Sequence, residues 1–213
     1  MQEDNHSETE YFKNIVKIDN SNYINFLLAN FCMPTLLQLK ASTLVQIQKK
    51  HGSLEEALNI LWLKIRQYNC KYIILYENHM RASVLIYHES TLRNCLLKNE
   101  NQDYLIGLGY QLYGDRLTQL FFTLSKRINN YNKNKSEGQF PHEIGIILGY
   151  PLRDVKEFVS NKGQNYIACG CWKVYHNPEH SKKMFELYHK IRVYSVNCVK
   201  EGKSLPRDFL CIQ

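Results

Sequence analysis

Lys71 to Tyr87, KYIILYENHMRASVLIY, is the stretch that decides the fold. Two runs rich in β-branched and aromatic residues, Lys71 to Tyr76 and Ala82 to Tyr87, flank the five residues Glu77 to Arg81. Runs of this composition on either side of a short loop are typical of β-strands. The stretch therefore predicts two antiparallel strands joined as a hairpin by a five-residue loop.

Helices are predicted before and after this hairpin. Ser53 and Glu56 form a capping box, and the apolar stripe that follows predicts a helix to about Tyr68. An apolar run from Tyr23 to Phe31 predicts an earlier helix, which Pro34 should break. The remaining helices are predicted at about 90–98, at about 114–129, and from Pro178, capped by Asn177, to a stop at Gly202.

A later strand and two mobile segments complete the predicted organisation. Tyr166 to Tyr175 alternates and carries aromatic residues, which predicts a third strand able to join the hairpin. Residues 129–139 are rich in Asn and Lys and predict a mobile segment, and residues 1–14 predict a flexible tail. We expect one α+β domain over 15–213: a small antiparallel sheet, the hairpin plus one later strand, packed against several helices mainly on one side.

Composition limits the class of protein. The chain has 213 residues, 44% of them hydrophobic, so it can bury a core without metals or disulfides. It lacks an apolar run long enough for a signal peptide or a membrane span, which predicts a cytoplasmic protein with no membrane partner. Seven scattered cysteines, an odd number, predict reduced thiols. A net charge of +7 spread along the chain favours ordinary surface lysines over a nucleic-acid footprint.

The most distinctive motif is Phe140 to Pro151, FPHEIGIILGYP, which combines an ionisable pair with two glycines and two prolines. It closely resembles the signature of an uncharacterised bacterial family, domain of unknown function 3793, which is known for Pro-His-Glu and Leu-Gly-Tyr-Pro motifs. Three other segments support the resemblance: Cys32 to Leu36 followed by Lys40, Leu105 to Leu112, and Gly170 to Tyr175. The family has Ala at the position of Met33. The resemblance covers most of the chain and implies a cytosolic protein of one structural unit, but it carries over no substrate, cofactor or catalytic residue.

The candidate catalytic residues are Cys32, His142 and Glu143. A histidine can activate a thiol and a carboxylate can fix its tautomer, so we expect these groups to meet in the fold, partly exposed, with a reactive Cys32. The alternative is structural. Neighbouring side chains on a helix diverge by about 100°, and Pro141 could open a helix whose dipole Glu143 complements.

The remaining motif residues are predicted to bind a ligand. Together with the catalytic candidates they would form a polar pocket for a small molecule or cofactor of unknown identity. The predicted ligand-binding residues are Pro34, Thr35, Lys40, Tyr150 and Trp172.

Two further functions stay open. Residues 144–158 fit a helix-turn-helix with Gly149 in the turn, although residues 152–160 carry no net charge for phosphate contacts. The buried positions of that motif would be Ile144, Leu148, Val155 and Phe158. A protein-docking adaptor without catalysis is the other alternative.

Metal and nucleotide sites are weakly indicated. The residues with suitable side chains are Cys169, Cys171, His176 and His180, and their spacing is poor for zinc. Buried cysteines on a strand, with no metal, are the prediction there. The glycines around residues 107–114 and 145–149 lack the pattern of a phosphate loop.

Overall fold

The computed structural model describes residues 19–48, 53–112, 116–133 and 139–208. The predicted tail at 1–14 and residues 134–138 of the predicted mobile segment lie outside these ranges. The architecture is α+β, as predicted, with a three-stranded antiparallel sheet and a separate two-stranded one.

The predicted hairpin is confirmed at the centre of the fold. Strands β2 (Cys70–Glu77) and β3 (Arg81–His88) pair antiparallel. The loop is shorter than predicted, because Asn78 accepts hydrogen bonds through Oδ1 from the backbone amides of Met80 and Arg81, both at 2.9 Å.

The third strand of this sheet is β1 (Ser42–Gln48), which pairs with β3 and gives the order β1-β3-β2. The prediction that residues 166–175 join the sheet is wrong. The chain reverses there, with the Gly170 amide donating to the Trp172 carbonyl at 3.1 Å. This reversal splits the run into β4 (Ala168–Cys169) and β5 (Lys173–Val174), which pair only with each other.

Strand β3 is buried on both faces. Successive side chains of a strand point to opposite sides, and those of β3 are apolar in both directions. Val84 and Ile86 join one core, which we call the N-terminal core. Leu85 and Tyr87 join the other, the central core. Helices therefore cover both faces of the sheet, and the prediction of packing mainly on one side is wrong.

The helices divide between these cores. The N-terminal core contains residues from α1 (Asn20–Leu27), α2 (Met33–Leu36), α3 (Leu54–Ile65) and α9 (Pro178–Lys200). The central core contains residues from α4 (Glu89–Leu96), α5 (Asn99–Gly107), α6 (Arg116–Lys133), α7 (Ile144–Ile147) and α8 (Leu152–Ser160).

Several helix predictions are confirmed in their physical detail. Ser53 caps α3 by accepting from the Glu56 amide at 3.0 Å, and a 3-10 turn at Arg66–Tyr68 extends the helix to the predicted end. Asn177 caps α9, and Gly202 follows its end with a φ of +68°. Helix α6 continues to Lys133, so the first part of the predicted mobile segment is helical.

Pro34 does not break the first helix as predicted. A π-helical turn, Leu28–Cys32, connects α1 to α2, and Pro34 occupies the first turn of α2. An amide in a first turn has no intrahelical acceptor, so proline costs little at that place. The helix therefore runs past Cys32, which is enclosed in the N-terminal core.

Candidate functional site

A cavity of about 270 Å³ lies between the α7–α8 hairpin and the β4–β5 hairpin. Its lining includes an imidazole, a carboxylate and an amine, which belong to His142, Asp154 and Lys173. The others are Ile144, Gly145, Leu148, Tyr150, Val155, Phe158, Cys169, Gly170 and Trp172. The signature motif and the Gly-Cys-Trp-Lys segment thus form opposite walls of one cavity.

Glycines allow the two helices of the first wall to turn and approach. Gly149 turns the chain with a φ of +83°, a conformation that favours glycine. Gly145 faces α8 so closely that a Cβ there would lie 2.8 Å from Cγ2 of Val155. Any larger residue at 145 would push the two helices apart.

The carboxylate of Asp154 holds the second wall against the first. Asp154 is only 2% exposed, and its Oδ2 accepts from Nε1 of Trp172 at 2.8 Å. Its Oδ1 accepts from the backbone amides of Tyr175 and His176 at 2.9 and 3.0 Å. No local sequence pattern indicates this role for Asp154.

Two of the predicted ligand-binding residues, Tyr150 and Trp172, meet in the cavity. Their rings stack with centroids 5.1 Å apart and planes inclined by 27°. The ring of Phe185 from α9 packs against Trp172 in a T-shaped arrangement, with centroids 4.5 Å apart and planes inclined by 74°. Gly170 is required beside Phe185, because a Cβ at this position would collide with that ring. The indole is therefore fixed by aromatic contacts as well as by Asp154.

His142 lies half-buried at the cavity between two aromatic rings. Its imidazole centroid is 5.5 Å from that of Phe140 and 5.0 Å from that of Phe158. Burial lowers the pKa of His142, while Glu143 acts in the opposite direction. Burial favours the neutral form of the ring, which has one donor and one acceptor, and neither makes a hydrogen bond to the described residues.

Glu143 points away from the cavity into the protein. It is 4% exposed, its Oε1 accepts from the Tyr110 hydroxyl at 2.9 Å, and it forms an ion pair with Nε of Arg127 at 2.6 Å. Burial raises the pKa of Tyr110, and the Glu143 carboxylate raises it further. The prediction that Glu143 is only partly buried is wrong, because adjacent side chains diverge and this one pairs across the core.

Cys32 does not have the open setting predicted for it. It is fully buried, and burial raises the pKa of its thiol, with Lys40 acting in the opposite direction. Cys32 belongs to the N-terminal core, whereas His142 lies beside Phe140, which packs on the central core. The catalytic group predicted from sequence is not brought together, and a buried thiol of raised pKa is a poor nucleophile.

Pro34 and Thr35, predicted to bind a ligand, are buried structural residues. Oγ1 of Thr35 lies 2.8 Å from Oγ1 of Thr43, a hydrogen bond that joins α2 to β1. The Nζ of Lys40 lies 5.3 Å from the centre of the Tyr150 ring. Neither Pro34, Thr35 nor Lys40 lines the cavity.

The residues of the candidate metal site do not have the setting that the sequence predicted. Cys169 lies in β4 and Cys171 in the turn after it, and both are exposed, so the prediction of buried strand cysteines is wrong. Among the residues that the structure describes, no three His, Cys, Asp or Glu side chains are grouped to hold a metal ion. The described helices include none that is both long and apolar enough to cross a membrane.

Residues 144–158, which fit a helix-turn-helix pattern in the sequence, form a hairpin of unequal helices. Helix α7 has only four residues, and α8 directs Asp154 inward against β5. Two of the predicted buried positions, Ile144 and Val155, are each 5% exposed, while Leu148 and Phe158 are half-buried at the cavity. All four positions are therefore buried or half-buried, and all four line the cavity.

Comparison with known proteins identifies the family. No curated protein and no solved structure matches the chain significantly. The family described as "Protein of unknown function (DUF3793)" matches residues 28–207, a range that includes both walls of the cavity. The chain therefore belongs to this family, as its Pro-His-Glu and Leu-Gly-Tyr-Pro motifs predicted.

Proposed function

We propose that the protein binds a small, planar, largely apolar molecule with one acidic group in the cavity between the α7–α8 and β4–β5 hairpins. The observation that carries the proposal is an aromatic enclosure that holds an imidazole without a partner among the described residues. Ligand sites are commonly apolar cavities with a few converging polar groups.

Size and lining favour a flat aromatic ligand. At about 270 Å³ the cavity is near the lower end of ligand pockets, which suits one ring or two fused rings. Trp172, Tyr150 and Phe158 line the cavity with aromatic rings. Aromatic pairs add to the free energy of burial, by about 0.5–1.5 kcal/mol each.

The polar groups favour an acid over a base. Asp154 already accepts three hydrogen bonds from the protein and has little capacity for a cationic ligand. Lys173 donates from Nζ to the Gly163 carbonyl at 2.6 Å, which leaves ammonium protons for another acceptor. His142 supplies a neutral donor on the same lining. A carboxylate fits these donors.

The proposal is binding without turnover. The thiol predicted to act as nucleophile is buried in another core, which removes the sequence-based argument for catalysis. We infer a cytoplasmic location from the odd number of cysteines and from six free thiols among the described residues. DNA binding through α8 and a purely adaptor role are not favoured by a specific contact.

Calorimetric titration with 2-naphthoate tests the proposal, because this probe is flat, apolar and carries one carboxylate. His142→Leu and Lys173→Met each remove one polar contact and should weaken binding by about tenfold. His189→Leu and Lys190→Met change exposed residues of α9 and should leave the affinity unchanged. Equal affinities across wild type, site variants and controls would reject the site. If the site variants lose affinity and the controls do not, native mass spectrometry of protein purified from its own cells would identify the natural ligand.

A further inference from the structure

A second cavity lies where three segments from distant parts of the chain meet. It measures about 260 Å³ and shares no lining residue with the cavity between the two hairpins. Its walls come from α1, from the end of α3 with the 3-10 turn that follows, and from the segment after α9. The polar side chains that line it include those of Asn25, Lys64, Gln67, Lys203, Ser204 and Arg207.

Hydrogen bonds hold the segment after α9 against the 3-10 turn. The Tyr68 hydroxyl donates to the Leu205 carbonyl at 3.3 Å, and Nη2 of Arg207 donates to Oε1 of Gln67 at 3.2 Å. The side chain of Leu205 also packs on the N-terminal core. The wall that carries Lys203 and Arg207 is therefore attached to the rest of the fold at several points.

The lining carries three positive charges and, among the described residues, no carboxylate. The cations are Lys64, Lys203 and Arg207. Lys203 forms an ion pair with Glu201 at 2.7 Å, in which both side chains are largely exposed. Lys64 and Arg207 form no ion pair within the described ranges, although Asp19 acts on Lys64 electrostatically. Two cations of one small cavity thus lack a paired carboxylate, and an anion between them would relieve their mutual repulsion.

The neutral groups of the lining suit the oxygens of a phosphate. The Asn25 amide and the Ser204 hydroxyl are donors, and neither makes a hydrogen bond to the described residues. Proteins bind phosphate oxygens with Arg and Lys together with such hydroxyl and amide donors. A phosphate dianion balances two unpaired cations, whereas a single carboxylate balances one. The volume lies near the lower end of ligand pockets, which suits a small molecule.

We propose that this second cavity binds a phosphate dianion, either inorganic phosphate or the phosphate group of a small molecule, through Lys64 and Arg207. The exposed Lys203 supplies a further positive charge, and Asn25 and Ser204 supply neutral donors. The proposal is independent of ligand binding between the two hairpins, because no residue lines both cavities.

Calorimetric titration with inorganic phosphate and with glycerol 3-phosphate tests the proposal, with glycerol as the uncharged control. At about pH 8 both probes are dianions, and roughly 0.15 M ionic strength screens diffuse attraction to the basic surface. Lys64→Met and Arg207→Met should each weaken binding about tenfold, because each removes charge-assisted hydrogen bonds. Lys183→Met and Lys190→Met remove the same charge from exposed positions of α9 and should leave the affinity unchanged.

Arg207→Lys keeps the charge and should retain part of the affinity, and circular dichroism melts show whether each variant is folded. Equal affinities for the two probes would support recognition of the phosphate group alone. Tighter binding of glycerol 3-phosphate would support a phosphorylated small molecule as the ligand. The proposal is overturned if neither probe binds at millimolar concentration, or if the control variants weaken binding as much as Lys64→Met and Arg207→Met do.

Discussion

Glu143→Ala should destabilise the protein, because it removes a buried carboxylate that has two partners in the core. The substitution leaves the Tyr110 hydroxyl, which donates to Glu143 at 2.9 Å, without an acceptor in the core. An unsatisfied buried hydroxyl costs about 1–3 kcal/mol. It also removes the ion pair with Arg127, which contributes less, about 1 kcal/mol, because the Arg127 side chain is 39% exposed.

The free energy of unfolding should therefore fall by roughly 2–4 kcal/mol. For a chain of this size that corresponds to a decrease in Tm of roughly 5–12 °C in a thermal melt. Glu143→Gln keeps an oxygen that can accept from Tyr110 and should cost only about 1 kcal/mol. Glu186→Ala, on the exposed side of α9, should stay within about 0.5 kcal/mol of wild type.

A double variant separates the hydroxyl from the ion pair. Adding Tyr110→Phe to Glu143→Ala removes the orphaned hydroxyl and should restore part of the loss, about 1–2 kcal/mol. The reasoning is refuted if Glu143→Ala melts within about 2 °C of wild type. It also fails if the double variant is no more stable than Glu143→Ala alone.

Three further predictions follow from the geometry of the site. Gly145→Ala, whose Cβ would lie 2.8 Å from a Val155 methyl, should lower the free energy of unfolding by about 1–3 kcal/mol in a denaturant titration. Gly107→Ala, which has open space around it, should not lower it. Equal effects of the two substitutions would contradict the close approach of α7 and α8. Iodoacetamide should label the exposed Cys169 well before Cys32, which should react only when the protein unfolds; fast native labelling of Cys32 would restore the thiol hypothesis. Burial lowers the pKa of His142 below its usual 6.5 in the folded protein. The neutral ring therefore contributes stability above pH 6.5, and this contribution is lost as the pH falls through the folded pKa. An NMR titration midpoint of His142 at or above 6.5 would contradict this.

Local signals were enough to predict several elements. The capping box at Ser53 identified α3, the β-branched runs identified β2 and β3, and Asn177 with Pro178 identified α9. Each signal acts within a few residues, where hydrogen bonding and side-chain periodicity decide the conformation.

Other elements depend on contacts that no local pattern contains. Strand β1 was missed because its alternation is short, with Val45 and Ile47 as its buried apolar pair in the N-terminal core. Helix α5 was missed because only Leu105 of its apolar residues is buried. The break expected at Pro34 is absent because a π-helical turn precedes it and places Pro34 in the first turn of α2.

The candidate site was half predictable. Sequence patterns selected His142, Tyr150 and Trp172, which do line one cavity. They placed Cys32 and Glu143 there as well, because a pattern cannot show to which side of a sheet or helix a residue is directed. Asp154 was not selected at all, since its function comes from amides more than twenty positions away in sequence.

The hairpin of β4 and β5 has a consequence for the rate at which the cavity exchanges its contents. Each strand has only two residues, and the hairpin is joined to α8 by the carboxylate of Asp154, beside the contacts that Lys173 makes with Gly163 and Phe158. Such a small unit opens at a free energy below that of global unfolding, so the amides of Tyr175 and His176 should exchange with solvent long before those of β3. A molecule inside would leave when the hairpin detaches, and its residence time would then report how firmly one aspartate holds two amides and an indole.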